Sequence, residues 1–207
     1  TYLFSAAITD AAGNLGAVST VRSLILDNTP STTTAAISNV SDNSGTITGS
    51  VGAGKRSDDL TPTLSGTLSA PLLAGENLLI FNGTTLLGTA SVNNTTLTWT
   101  YTPTLPPSPG TTYSFIARVA DPAGNLGPAS PSRSFILDTV APLATATITH
   151  ITDNLNLYTG SIPDGGISND STPTLSGTLS AALATGDTLR IFNGTTLLGN
   201  ATVNNTA

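Results

Sequence analysis

The sequence contains no cysteine and no methionine, and His150 is its only histidine. These absences exclude a disulfide framework, a thiolate zinc site, a cysteine nucleophile and haem ligation by Cys or Met. Charged residues make up only 9% of the 207 residues, and the formal net charge of -6 offers no basic surface for nucleic acid. No apolar run reaches the roughly 18 residues of a membrane-spanning helix, so no membrane insertion is expected in this segment.

Small hydroxyl-bearing residues dominate what is present, since the chain has 38 Thr and 22 Ser. Thr favours extended backbone because its branched side chain packs well on a pleated surface. Asp is far commoner than Glu among the acidic residues: eleven of the twelve are Asp, and Glu76 is the only Glu. Asp favours turns and is also a hard oxygen ligand on a short side chain. The composition therefore predicts an all-β protein with loops rich in Asp.

A repeat of 111 residues organises the chain. Residues 61–96 and 172–207 are identical at 27 of 36 positions. Residues 1–27 match residues 112–138 at the same offset, and both segments contain the pattern D-x-A-G-N-x-G. Self-similarity at a fixed offset indicates an array of similar structural units.

The repeat frame predicts parts of three units. Residues 1–30 are expected to be the C-terminal strands of a preceding unit, 31–142 a complete unit, and 143–207 the N-terminal part of the following unit. A Pro follows shortly after Asp27 and again after Asp138. Pro fixes its own φ and favours an extended residue before it, so these linkers are predicted to be short and stiff.

Apolar residues alternate with variable ones inside each unit, which is typical of strands with one buried face. Tyr113, Phe115, Ala117 and Val119, for example, match apolar residues one repeat earlier, whereas the single residue between each of these changes. Such patterns predict strands near 35–41, 61–69, 77–82, 85–92, 96–103, 112–120 and 132–138. The residues expected to share one core are Leu64, Leu68, Ile80, Trp99, Tyr113, Phe115 and Val119.

About seven short strands in about 110 residues favour a Greek-key sandwich. The expected fold class is therefore all-β, with tandem immunoglobulin-like β-sandwiches of about 111 residues each. The segment LPPSPGTTY at 105–113 is typical of a tyrosine corner, in which the Tyr113 hydroxyl bonds to the backbone upstream. The Cys pair of antibody domains is missing, and Trp99 falls on the fifth predicted strand and not on the third.

These features together resemble the bacterial Ig-like repeats of giant repetitive surface adhesins, of the RTX or biofilm-associated type. The matching motifs are TPTLSGT at 61–67 and 172–178, the D-x-A-G-N-x-G turn, and the terminal ILD followed by a Pro linker. The resemblance covers the whole chain. It implies tandem sandwiches, often calcium-stabilised at or near their junctions, that extend between a cell anchor and a ligand-binding tip. It also implies an extracellular location on the bacterial cell surface, with neighbouring repeats of the same protein as partners.

Nine of the twelve acids recur at loop or linker positions, which makes them candidates for a metal site. An immunoglobulin topology would gather them at the two poles of each sandwich. The predicted calcium ligands are Asp42, Asp58, Asp59 and Asp138 at one pole, with Asp121 and Asn125 beside Asp27 at the other. Carboxylates and loop carbonyls can supply the six to eight oxygens that calcium needs. The alternative is that these aspartates only shape turns.

No enzymatic activity is expected. His150 corresponds to Asn39 one repeat earlier, so it is not part of the repeated design, and without a positioned base no Ser can become a nucleophile. The expected function is that of a non-catalytic extender, or stalk, in an extracellular adhesin that supports cell adhesion or biofilm formation. One alternative is a subunit of a self-assembling extracellular filament or tail fibre completed by neighbouring chains. The other is a carbohydrate-binding module, although most of the few aromatic residues are at strand positions predicted to be buried and so offer no exposed aromatic platform.

Overall fold

The computed structural model describes residues 1–155 and 159–205, and every regular element in these ranges is a β-strand. The all-β prediction is confirmed. The chain divides into two compact units, Thr1–Thr139 and Val140–Ala207. In the described ranges no helix is long and apolar enough to cross a membrane. The predicted boundaries of the three repeat parts stay a prediction, because this division follows packing and not the sequence repeat.

Twelve strands build the first unit. They are β1 (Tyr2–Phe4), β2 (Arg22–Leu24), β3 (Ala35–Asp42), β4 (Gly49–Ser50), β5 (Arg56–Ser57), β6 (Thr63–Leu68), β7 (Asn77–Asn82), β8 (Thr85–Thr89), β9 (Ser91–Asn93), β10 (Thr98–Tyr101), β11 (Thr112–Ala120) and β12 (Arg133–Leu137). Strands β1 and β2 form a separate antiparallel hairpin. The other ten form two five-stranded sheets, in the orders β4-β3-β6-β10-β9 and β5-β12-β11-β7-β8. Only the β5–β12 pair is parallel among the pairings of these two sheets.

One apolar core receives side chains from both five-stranded sheets, as in a β-sandwich. Trp99 and Leu64 come from one sheet, and Ile80, Phe115 and Phe135 come from the other. All of these side chains are almost fully buried. The predicted core set is confirmed in full, because alternate residues of each strand share one face and only that face is buried.

Two close contacts fix the packing of this core. The Tyr113 hydroxyl donates a hydrogen bond to the Pro106 carbonyl at 3.1 Å, as the tyrosine-corner pattern predicts. Gly66 lies opposite Trp99 in the β6–β10 register, and the indole covers it. A Cβ at Gly66 would meet the Ala36 carbonyl oxygen and would lie 2.7 Å from the Trp99 ring, so only glycine fits there.

The prediction of a single strand over 85–92 is wrong, because two strands in different sheets occupy this segment. The chain there forms β8 in one sheet and β9 in the other, with Ala90 between them. Ala90 is buried, and its N–H donates to the Leu78 carbonyl at 2.8 Å. Its small side chain lets the backbone pass from one sheet to the other, and period-2 alternation does not reveal such a change of partner. The short strands β4 and β5 were not predicted at all.

The described residues of the second unit, 140–155 and 159–205, contain five strands: β13 (Ala146–Asp153), β14 (Gly160–Ile162), β15 (Thr174–Leu179), β16 (Arg190–Asn193) and β17 (Thr196–Asn200). They form a three-stranded sheet of order β14-β13-β15 and the hairpin β16-β17. Strands β13 and β15 pair in the register of β3 and β6 shifted by 111 residues, including the bulge at Ile148 and His150. The start of the second unit therefore repeats the local structure of the first.

Candidate functional site

A buried serine joins two of the predicted calcium ligands. Ser57 Oγ donates a hydrogen bond to Asp42 Oδ2 at 2.7 Å and accepts one from the Asp59 backbone N–H at 3.2 Å. The Asn43 N–H also donates to Asp59 Oδ2 at 3.0 Å. Asp42, Ser57 and Asp59 are all buried. This cluster of three residues, named the brace below, ties the end of β3 to the segment that enters β6.

The remaining brace oxygens bind nearby turn donors. Asp42 Oδ1 accepts from the Ser44 N–H at 2.8 Å. Asp59 Oδ1 accepts from both the N–H and the hydroxyl of Thr61, at 2.7 and 3.2 Å. These are Asx-type turns, in which a short acidic side chain bonds to the backbone two residues on. The hydrogen bonds offset the cost of burying two carboxylates.

The second unit repeats the brace with Asp153, Ser168 and Asp170. Ser168 Oγ donates to Asp153 Oδ2 at 2.7 Å and accepts from the Asp170 N–H at 2.9 Å. Asp170 accepts in turn from the backbone N–H groups of Thr172 and Asn154. These donors lower the pKa of Asp170 below its ordinary value, the Thr172 N–H contributing most. The brace is thus a feature of the repeat and not of one unit.

The other two predicted ligands at this pole have different surroundings. Asp138 accepts a hydrogen bond from Arg56 Nη1 at 2.8 Å, and its N–H donates to the Ser57 carbonyl at 2.8 Å. The linker acid therefore lies beside the brace, as the topology argument predicts. The Arg56 and Asp138 side chains are 61% and 32% exposed, so this ion pair contributes less than about 1 kcal/mol. Asp58 is exposed, and its carboxylate lies next to the backbone of Gly45.

The D-x-A-G-N-x-G segment forms a closed loop after β11. Asp121 Oδ1 accepts from the N–H groups of Ala123 and Asn125, and Asp121 Oδ2 accepts from Asn125 Nδ2 at 2.8 Å. Gly124 has a φ of +89°, a conformation that favours glycine. Asn125 Nδ2 also donates to the Asp27 carbonyl at 3.0 Å, so the structure brings these three predicted residues together.

The side-chain hydrogen bond from Asn125 is the largest cause of a pKa for Asp121 below its ordinary value. The equivalent loop near the N-terminus behaves in the same way. There Asn14 Nδ2 donates to Asp10 Oδ2 at 2.8 Å, and this bond is the largest cause of a lowered pKa for Asp10. A negative charge on the Asp therefore stabilises the loop in both copies.

Most carboxylate oxygens of the predicted ligands at this pole already accept hydrogen bonds within the unit. Calcium needs six to eight oxygens, whereas the brace carboxylates are taken up by N–H and O–H donors and Asp138 is paired with Arg56. In residues 1–155 and 159–205, no three Asp, Glu or His side chains are grouped so that they could hold a metal ion. Calcium at the joint between units stays a prediction.

Sequence reasoning missed Ser57, Ser168 and Arg56. A signal for the serines was present, because the pattern S-x-D-x-T occurs at 57–61 and again at 168–172, at the repeat offset. A Ser two residues before an Asp can bond to that residue's N–H and also reach a second carboxylate. Arg56 has no counterpart in that pattern, since Ile167 stands one repeat later.

His150 lies on β13 and is exposed, with Nδ1 3.0 Å from Thr149 Oγ1. No acid shares this contact.

In comparisons with known proteins, no family model matches the chain and no curated protein matches it.

Proposed function

We propose that this chain is part of a non-catalytic stalk: a tandem array of immunoglobulin-like sandwiches that extends an extracellular adhesin from a bacterial cell surface. The observation that carries the proposal is the recurrence of the brace at the repeat offset. Asp42, Ser57 and Asp59 have the same hydrogen bonds as Asp153, Ser168 and Asp170. A stalk needs the same structural device in every unit, and the brace is such a device.

The strand order supports the immunoglobulin-like part of the proposal. The order β3-β6-β10-β9 corresponds to strands A, B, E and D, and β12-β11-β7-β8 corresponds to G, F, C and C′. Strand β5 pairs in parallel with β12, as an A′ strand does with strand G. The bond from the Tyr113 hydroxyl to Pro106 also matches the tyrosine corner of this fold.

Length is the property that such an array supplies. A strand of 8–10 residues at about 3.4 Å per residue, with a short linker, gives roughly 35–45 Å per unit. The brace supports stiffness at the end of the unit, because it connects β3, the entry to β6 and the linker residue Asp138 through Ser57. Stiff ends keep a tandem array extended.

The test is deletion of one 111-residue repeat from the protein on its own cells. We expect the surface fibre to shorten by roughly 35–45 Å in electron micrographs, with its partner-binding specificity unchanged. The control reinserts the complete unit, residues 31–142, at the deletion point, which should restore the length. Loss of a specific ligand on deletion, or a glycan bound by the purified chain on an array, would contradict a stalk and support a binding module.

Calcium dependence is a separate part of the proposal and has its own measurement. The sequence prediction is that the chain melts at a higher temperature in calcium than in chelator, because binding to the folded state stabilises it. Asp58→Asn is expected to reduce this difference, and Asp164→Asn, at a position outside the predicted ligand set, is the matched control. Equal melting temperatures in the two buffers would leave the aspartates as turn and brace residues only.

A further inference from the structure

Strand β8 is an open sheet edge in the middle of the chain. In the part of the chain that the structure describes, it is the last strand of its sheet and pairs with β7 alone. The chain then crosses at Ala90 to β9, which is the last strand of the other sheet, so both sheets end on the same side of the sandwich. Unpaired backbone at a sheet edge is a template for pairing with another strand.

The opposite side of the same sandwich is protected against such pairing. Its edge strands, β4 and β5, have only two residues each. Lys55 and Arg56 lie at this edge, and Arg56 is paired with Asp138. Very short strands and charged side chains are two devices by which proteins block edge pairing. The side of β8 lacks both devices, because β8 has five residues and no residue from 77 to 117 is charged.

An exposed leucine lies on this edge, and the edge itself is held in place. Leu86 is 53% exposed, whereas Leu87 beside it packs partly against the core. The Tyr101 hydroxyl donates a hydrogen bond to the Leu87 carbonyl at 2.7 Å, and this bond ties β8 to β10 of the other sheet. A strand fixed in this way loses less entropy when a partner strand binds to it.

The backbone groups of Leu86 and Thr89 face away from β7. An antiparallel strand directs the N–H and C=O of alternate residues toward its partner. Ala90 follows this rule, with its N–H bonded to the Leu78 carbonyl at 2.8 Å, so the backbone groups of Thr89 face outward. Thr85 closes the two-residue turn with β7, so the backbone groups of Leu86, the next residue, also face outward.

The next repeat carries the same edge sequence. Residues 81–88 and 192–199 both read FNGTTLLG, so Leu86 recurs as Leu197. A leucine that is 53% exposed gains little from packing inside its own unit, so its recurrence favours a contact outside the unit. A second copy of the chain presents this same edge at the same spacing.

We propose that β8 pairs antiparallel with β8 of a second copy of this chain. Charge favours a second copy as the partner. Copies with a formal net charge of -6 repel each other wherever their acids approach, but they can come close on an uncharged side. The pairing is symmetric, because a two-fold axis passes through the contact and the same edge serves both partners. Leu86 of each copy then lies beside β8 of the other.

The two-fold axis makes the two paired sandwiches point in opposite directions, because their β8 strands are antiparallel. Where units are joined into a stalk, the pair consists of two stalks that run past each other, as stalks from facing cells do. This consequence rests on the proposed function, whereas the pairing of β8 does not. An edge repeated along each stalk gives several contacts per pair, and linked contacts bind more tightly than each one alone.

The absence of cysteine from the chain lets one introduced thiol report on this edge alone. In the full chain carrying Leu86→Cys, a short thiol-reactive cross-linker should join two copies, because paired strands lie about 5 Å apart. The covalent dimer should decrease when the protein is diluted before cross-linking. Two control positions should give no dimer: Lys55→Cys at the opposite edge, and Leu73→Cys, an exposed leucine outside β8.

A charge on the edge tests the contact itself. Thr89→Lys puts a charge at an exposed position of β8 in both copies, so the dimer of the Leu86→Cys protein should be lost. Thr67→Lys adds the same charge on the exposed face of the central strand β6 and should leave the dimer intact. Trp99 fluorescence checks that the first unit of each variant is folded. Equal cross-linking at all three cysteine positions, no dimer at all, or a dimer that survives Thr89→Lys overturns the proposal.

Discussion

The substitution Ser57→Ala tests whether the brace stabilises the first unit. It removes a hydrogen bond of 2.7 Å to the buried Asp42 carboxylate and leaves the Asp59 N–H without its side-chain acceptor. A hydrogen bond to a charged group contributes about 1.5–3 kcal/mol, and buried polar groups left unpaired add to the loss. We therefore expect unfolding of the first unit to become easier by about 2–3 kcal/mol, which lowers its melting temperature by about 10 °C.

Urea unfolding followed by tryptophan fluorescence isolates this effect. Trp99 is the only tryptophan, and it is 1% exposed in the core of the first unit, so its signal reports that unit alone. We expect the midpoint to fall without a change in the slope m, because the surface exposed on unfolding is unchanged. Ser168→Ala makes the same change in the second unit and should leave the Trp99 transition where it is.

A double-mutant cycle with Asp42→Ala decides between a direct bond and a general loss of packing. If Ser57 acts through Asp42, the two effects overlap, with a coupling of about 1.5–3 kcal/mol. Ser50→Ala, which removes an exposed hydrogen bond to Asn39, is the control and should change stability by less than about 0.5 kcal/mol. Additive effects of Ser57→Ala and Asp42→Ala, or a loss no larger than that of Ser50→Ala, would refute the reasoning.

Three further predictions concern the first unit. Gly66→Ala should cost about 3 kcal/mol in the same urea assay, since its Cβ would meet backbone and the core indole, and a folded variant of normal stability would contradict this packing. Tyr113→Phe should cost about 1 kcal/mol through loss of its bond to a carbonyl, whereas Tyr2→Phe, with no such partner among the described contacts, should be neutral. The lowered pKa of Asp121 means that its loop gains stability above the ordinary pKa and loses it as the pH falls through the lowered value. Asn125→Ala should raise that pKa in a carboxyl NMR titration while Asp10 keeps its own lowered value.

Short-range patterns predicted most of the fold. The core residues followed from alternation, because a strand buries alternate side chains whatever its partners are. The Tyr113 bond and the Asp121 loop followed from residues a few positions apart, whose contacts depend on local backbone geometry alone. The change of sheet at Ala90 could not be predicted in this way, because strand partners are set by long-range packing.

In the candidate site too, sequence patterns predicted some of the contacts, and long-range packing determined the others. The topology argument placed Asp138 at the pole of Asp42 and Asp59, where its N–H bonds to the Ser57 carbonyl, and it placed Asn125 beside Asp27. It did not predict which N–H and O–H groups bond to the carboxylates, because those contacts depend on Ser57 and Arg56, which the patterns did not single out. Ser57 could not be told apart by residue type in a chain with 22 Ser, and only the equivalent Ser168 one repeat later distinguishes it. In a chain this rich in Ser, recurrence at the repeat offset carries more information than residue type.

The second unit separates what the local sequence determines from what distant strands determine. Its brace has the geometry of the first, with Asp153 buried and hydrogen-bonded to Ser168 at 2.7 Å, although Leu175 on β15 is 37% exposed. The hydrogen bonds of this brace involve only the end of β13 and the segment that enters β15. The N-terminal hairpin likewise keeps its register and loop bonds while Phe4 and Leu24 are exposed. Local hydrogen bonds and strand registers therefore depend on nearby residues, whereas burial of the apolar face depends on strands that lie far away in the sequence.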